Sequence, residues 1–183
     1  MYWVEEYTVN LEVLLARTLV LGGARSGKSD FARLQAEAIG GAGRLVMIVT
    51  AQAFDDEMRE RIALHRRERG AAWRTVEAPV DLAGALAGLG EGDVAVVDCL
   101  TLWLSNLMLA EMDLEAETDR LIEAVRVLKN PLWLVSNEVG LGIVPENALA
   151  RRFRDEAGRL HRRLAEVAEH VVLVVAGLPM VVK

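Results

Sequence analysis

The chain has 183 residues, about one domain by the usual length prior, and with 52% hydrophobic residues it is long enough to bury a full core without a covalent or metal staple. Its formal net charge of −6 suits a phosphate backbone poorly, so no nucleic-acid partner is expected. The longest apolar run, 171–182, is shorter than the ~20 residues of a membrane span and contains Gly177 and Pro179, so no span is expected either. Glu5 and Glu6 stand where a secretory signal would be positive, and the single cysteine, Cys99, can form no internal disulfide. The expected compartment is the cytoplasm.

Residues 1–17 carry an apolar alternation that reads as an N-terminal extension, either an extra strand or a loose arm, ahead of one nucleotide-binding catalytic domain over 18–183. From there short β-branched runs alternate with helical stretches. Strands are predicted over 18–22, 45–50, 73–77, 94–98, 132–136 and 171–176, most of them apolar on both faces as in a buried parallel sheet. Helices are predicted over 28–39, 55–69, 80–89, 114–128 and 146–170, the last following Pro145 with Gly158 as a candidate break. The stretch 100–110 has helical spacing as well. This order predicts an α/β fold in three layers, with helices covering a mostly parallel sheet.

The first strand runs into Gly22-Gly23-Ala24-Arg25-Ser26-Gly27-Lys28-Ser29, which fits G-x-x-x-x-G-K-[ST]. Glycines in such a loop let successive backbone N–H groups converge on phosphate oxygens, and the following helix adds its positive end. Lys28 is expected to reach the β- and γ-phosphates, and the Ser29 hydroxyl to ligate Mg²⁺. A plain glycine turn would look similar, but the strand before it and the amphipathic helix after it supply the required context. Farther on, Val94-Ala95-Val96-Val97-Asp98 is an apolar strand ending in a carboxylate. An isolated Asp there would serve as a helix cap; paired with the cradle, it reads as the second metal ligand. Cys99 reads as a small core residue rather than a nucleophile.

Further blocks resemble one family. They are Asp55-Asp56-Glu57-Met58 with Arg61-Ile62, His65 followed by Trp73 and Glu77, and the run 97–106, Val97-Asp98-Cys99-Leu100-Thr101-Leu102-Trp103-Leu104-Ser105-Asn106. Asn137-Glu138-Val139-Gly140, the stretch 151–158 and Ala176-Gly177-Leu178-Pro179 complete the series. With the phosphate loop, this order resembles the bifunctional adenosylcobinamide kinase/adenosylcobinamide-phosphate guanylyltransferases of cobalamin synthesis, over nearly everything beyond residue 17. The resemblance implies a RecA-like P-loop sheet, a homotrimer, ATP and GTP as substrates with Mg²⁺, and two reactions. One phosphorylates adenosylcobinamide; the other moves GMP from GTP through a guanylylated histidine, at His65, to give adenosylcobinamide-GDP. The chain departs from the family's pattern in three places. Gly70 stands after Arg69 where Pro is frequent, His161 replaces a common Asn after Gly158-Arg159-Leu160, and residues 1–17 lengthen the start.

From the residues alone, the 55–69 stretch reads as a solvated, charge-rich helix; the resemblance turns His65 into the nucleophile. Arg61 and Arg69, four residues to either side, disfavour an imidazolium and so favour the neutral ring. Arg66 and Arg69 join the nucleotide-binding set, as do Thr50, Ala51 and Gln52, which follow a strand's C-terminal end. Glu77 is either an acid placed before a helix or, as the family implies, the reader of guanine N1 and N2 hydrogens. Arg151 and Arg154 could steady phosphate or the transition-state charge, or the arginines could pair on a wet face, for example Arg151 with Asp155. Trp73, Trp103 and Trp133 read as core anchors, and His161 and His170 as surface residues of the last helix. The competing functions are a P-loop regulatory NTPase and a monofunctional small-molecule kinase.

Overall fold

The computed structural model describes residues 16–40, 44–52 and 72–183. In chain order its elements are β1 Arg17–Gly22, α1 Lys28–Ile39, β2 Leu45–Val49, β3 Trp73–Glu77, α2 Leu82–Ala87, β4 Val94–Asp98, α3 Leu100–Leu109, α4 Leu114–Val127, β5 Leu132–Asn137, α5 Ala148–Val167, β6 His170–Val175 and β7 Leu178–Val181. The expected helix over 55–69 and residues 1–15 lie outside the described residues.

The strands form one sheet in the order β3-β2-β4-β5-β1-β6-β7, with every pairing parallel except β6 with β7. Alternate residues of each strand enter two cores, because successive side chains leave opposite faces of a sheet. On one face Leu19, Ile48, Val97 and Leu134 pack beneath α2, α3, α4 and α5, with Trp103 and Leu121 among the buried helix residues. On the other, Val20, Met47, Val96, Trp133 and Val135 meet Ala32 and Ala36 of α1, whose small side chains let the helix lie close. Trp103 and Trp133 are 1% exposed and Trp73 8%, so all three anchor the core as expected.

Several boundaries differ from the expectation for local reasons. β1 starts at Arg17, one residue early. α2 is shorter than 80–89 because Asp81 caps its start, accepting from Gly84 N, and Gly88 follows its end. α5 begins after Asn147, whose side chain accepts from Leu149 N and Ala150 N, and it runs unbroken through Gly158. His170 therefore opens β6 instead of closing the helix. The apolar run after it is a hairpin: Ala176 (φ 52°) and Gly177 (φ 82°) turn the chain into β7, an edge strand that tolerates Pro179 opposite Val174.

Candidate active site

Six parallel strands point their C-terminal ends the same way, so residues that finish different strands meet at one edge. Gly22 ends β1, Asp98 ends β4 and Asn137 ends β5 between them. The residues Thr50, Ala51 and Gln52 follow β2, and Glu77 ends β3. At about 4.8 Å per strand, Asp98 stands roughly 10 Å from Gly22 across the sheet and Glu77 roughly 19 Å. His65, Arg66 and Arg69 lie outside the described residues.

The cradle is held tightly at its base and open at its tip. A Cβ on Gly22 would sit 2.6 Å from the backbone oxygen of Val174 and 2.5 Å from Ser26 Oγ, so only glycine lets β1 turn there against β6. Gly27 adopts φ 91°, which a side chain would strain, and its position is pressed by the β6–β7 turn, whose Gly177 N donates to Ser26 O at 2.8 Å. That contact gives the closing Ala176-Gly177 motif a structural purpose: the hairpin braces the phosphate loop. Gly23, Ala24 and Arg25 are exposed at the tip. Lys28 is buried, and its Nζ donates to Gly23 O at 3.1 Å across the loop.

Gly27, which precedes α1, offers no side-chain cap, and the helix's first amides are the ones that lack partners within a helix. Anionic oxygens would satisfy them. Ser26 Oγ is buried beside Gly22 without a hydrogen-bond partner, as is Thr18 Oγ1. Ser29 and Asp98 supply a hydroxyl and a carboxylate, the hard oxygen donors that magnesium takes.

Behind the rim lies a buried polar network. Thr50 is fully buried; its Oγ1 accepts from Cys99 N at 2.9 Å and donates to Cys99 O at 2.7 Å. Asn106 of α3 donates to Thr50 O at 2.8 Å and Pro79 O at 2.9 Å, and Asn137 donates to Thr101 Oγ1 at 2.9 Å. Thr101 Oγ1 also lies 3.2 Å from the Cys99 thiol, whose pKa burial, and then the Asp98 charge, push upward. Cys99 is thus an unreactive core residue. The Thr50 hydroxyl is spent inside, which leaves Ala51 and Gln52 as the half-buried residues of that turn.

His161 corrects an expectation. It is not a surface residue: it is 7% exposed, with Nε2 2.7 Å from Ser136 Oγ and Nδ1 3.9 Å from Glu138 Oε2. Burial depresses its pKa, and Glu138 opposes the shift. The signal was present, because Ala157, Leu160, His161 and Leu164 are the buried residues of α5 at i, i+3, i+4 and i+7. The expected Arg151–Asp155 pair is also absent. Arg151 instead donates to Pro145 O and Glu146 O before the helix, and Asp155 pairs with Arg154 at 3.2 Å. Thr101, Asn106 and Ser136 had no local signature of a role, being polar residues within or beside apolar runs.

The sequence profile of the cobinamide kinase / cobinamide phosphate guanyltransferase family matches residues 18–182. The bifunctional adenosylcobalamin biosynthesis protein CobP of Pseudomonas aeruginosa is 52% identical over 172 residues, covering 91% of this chain and 97% of that protein. The bifunctional adenosylcobalamin biosynthesis protein CobU of Salmonella typhimurium is 41% identical over 181 residues, covering 90% and 98%. Among solved structures, an ATPase from the type III secretion system of pathogenic bacteria superposes with a TM-score of 0.52 at 11% identity, covering 91% of this chain and 56% of that one. That likeness is one of fold, the RecA-like P-loop sheet.

Proposed function

The chain belongs to the cobinamide kinase / cobinamide phosphate guanyltransferase family of cobalamin biosynthesis, and we propose that it phosphorylates adenosylcobinamide with a nucleoside triphosphate and then transfers GMP from GTP, through a guanylyl-histidine at His65, to give adenosylcobinamide-GDP. The observation that carries the first half is the cradle: a strand, a glycine loop and an uncapped helix start, with Asp98 two strands away on the same edge of the sheet. In the kinase step the acceptor hydroxyl attacks the γ-phosphorus and the nucleoside diphosphate leaves. Lys28, the amides of residues 22–29 and the α1 dipole hold the phosphates and offset the charge on them. Ser29 and Asp98 would hold Mg²⁺, which supplies charge neutralisation on the phosphates.

In the second reaction an imidazole nitrogen of His65 attacks the α-phosphorus and pyrophosphate leaves; a phosphate oxygen of adenosylcobinamide phosphate then displaces the imidazole. On a helix over 55–69, Arg61 and Arg69, four residues to either side in sequence, would favour the neutral ring this needs, and Arg66 and Arg69 would add positive charge for the triphosphate. Glu77, on β3 and far across the rim from Gly22, reads guanine, with Ala51 and Gln52 between. The setting is the cytoplasm; among the described residues no helix is long and apolar enough to cross a membrane. The assembly is a homotrimer, a reading favoured by the exposed apolar edge formed by Leu178, Met180, Val181 and Val182. Light scattering should return three times the chain mass, and a monomer at micromolar concentration would count against it.

The decisive experiment is intact-protein mass after incubation with GTP and Mg²⁺. A GMP-sized increment, labile in acid and durable in alkali as a phosphoramidate is, should appear in the wild type and vanish in His65→Ala. Kinase turnover should survive there at least in part. An adduct that persists in His65→Ala, or maps elsewhere, would sink the histidine. An unmodified wild type would favour a monofunctional kinase, and the absence of both reactions a regulatory NTPase.

A further inference from the structure

Ser136, His161 and Glu138 stand in the order hydroxyl–imidazole–carboxylate, but Ser136 is fully buried in the sheet and is no nucleophile. The open end of the chain is the carboxylate. Glu138 follows β5 directly, and its backbone N donates to Gly22 O at 2.9 Å, which seats it against the first residue of the phosphate cradle. In the β-ladder Val135 is level with Asp98 and Asn137 with Gly22, so Glu138 lies one residue beyond the level of Gly22 and three beyond that of Asp98. Among the acids at the strand ends, Asp98 faces the metal in the reading above and Glu77 stands roughly 19 Å away. Among the described residues Glu138 is the remaining one, and its side chain is 22% exposed.

Its orientation is built. Glu138 Oε1 accepts from Gly140 N, and Oε2 faces His161 Nδ1. The serine hydroxyl decides which ring nitrogen carries hydrogen. If Nε2 donated to Ser136, the bare Nδ1 lone pair would face the carboxylate; if Ser136 donates to Nε2, Nδ1 presents its N–H to Glu138. Electrostatics favours the second arrangement. A buried imidazole on α5 thereby faces, at 3.9 Å, the carboxylate of a residue whose backbone is bonded to Gly22 of the phosphate loop.

We propose that Glu138 is the catalytic base of the phosphoryl transfer, taking the proton of the acceptor hydroxyl as its oxygen bonds to the γ-phosphorus, and that His161, held by Ser136, is the residue that positions it. The bond from the γ-phosphorus to the β–γ bridging oxygen breaks, the nucleoside diphosphate leaves with that electron pair, and Glu138 passes the proton to water. This rests on the kinase reading above, and the test separates the two. Phosphorylation of adenosylcobinamide is measured in wild type, Glu138→Gln, Glu138→Asp, His161→Ala and His161→Asn, with nucleotide binding followed by titration and folding by thermal melting. Glu138→Gln keeps the size and the acceptor for Gly140 N, and should lower kcat by about 10²–10⁴-fold with nucleotide Kd within about twofold. Glu138→Asp, which keeps a carboxylate, should retain more of the turnover than Glu138→Gln. His161→Ala should lower kcat by about tenfold at unchanged nucleotide KM, and His161→Asn, whose amide can still donate, should recover part of the loss. A Glu138→Gln enzyme within threefold of the wild type, or one that loses nucleotide binding in parallel with turnover, would overturn the base. Wild-type kcat in a folded His161→Ala would overturn the positioning. A wild type that never phosphorylates the acceptor would instead sink the kinase reading itself.

Discussion

The two ends of β1 are finished in opposite ways. At its N-terminal end, Arg17 pairs with Glu169 and donates to the last carbonyls of α4, Val125 O at 2.9 Å and Arg126 O at 2.7 Å. Nearby, Lys183 closes α5 in the same manner, donating to Ala165 O at 2.8 Å and Ala168 O at 2.7 Å. Cations on the negative ends of helices satisfy groups that a helix cannot satisfy itself. At its C-terminal end β1 opens into a loop where Ser26 Oγ has no partner and α1 begins without a side-chain cap. At one edge the chain's own cations meet the helix-end carbonyls, though Thr18 Oγ1 stays without a partner there; at the other the first amides of α1 have no side-chain cap. Stability and binding are therefore separable by mutation along a single strand.

The largest break should come at the open end. Lys28→Ala should reduce kinase turnover by about 10²–10³-fold, since a preorganised positive group over the phosphates is removed. Melting in the absence of nucleotide should fall by only about 2–4 °C, the loss of one hydrogen bond of about 1 kcal/mol to Gly23. Nucleotide at about 100 times its Kd should stabilise the wild type by about 2.7 kcal/mol, and the variant much less at the same concentration. A Lys28→Ala enzyme with normal turnover would remove the cradle from the mechanism.

The closed end should give the converse. Arg17→Ala removes an ion pair and two helix-end hydrogen bonds, together about 2 kcal/mol, with the partly exposed pair itself contributing less than about 1. The melting temperature should drop by about 4–8 °C while kcat and nucleotide Kd stay as in the wild type. A change in Kd larger than the loss of stability would mean that the two ends of the strand are coupled.

The smallest effects are in pH, and they divide by window. Arg17 holds the Glu169 carboxyl below its ordinary value of 4.5, so that pair's contribution is whole above it and is lost as pH falls through the lower folded value. His161 has its pKa lowered mainly by burial. The unfolded chain takes up this proton near the ordinary value of about 6.5 while the folded chain resists it, so stability declines as pH drops below about 6.5 until the folded value is passed. Urea midpoints between pH 2 and 8 should show His161→Asn flattening the upper part of the acid slope and Arg17→Ala the part below pH 4.5. Identical slopes in all three proteins would show that neither group sets the acid limit.

Much of this architecture was legible along the chain. The helix over 28–39, the strands at 73–77 and 94–98 and the phosphate loop were set by near-neighbour chemistry: glycine spacing, apolar runs and β-branched residues. Parallel strands then required the motif residues to share one edge, so Gly22 and Asp98 could be paired before any coordinates were known. The hairpin strand β7 was hidden because an unbroken apolar run does not show where it turns; Gly177 does so by donating to Ser26, 151 residues away. His161 and Glu138 illustrate the same divide. In sequence they are a histidine on a charged helix, expected at the surface, and an acid after a strand. Only packing α5 over β5 brings the imidazole within hydrogen-bond distance of Ser136 and in front of the carboxylate, because burial and partner distance are properties of elements that the chain order keeps apart.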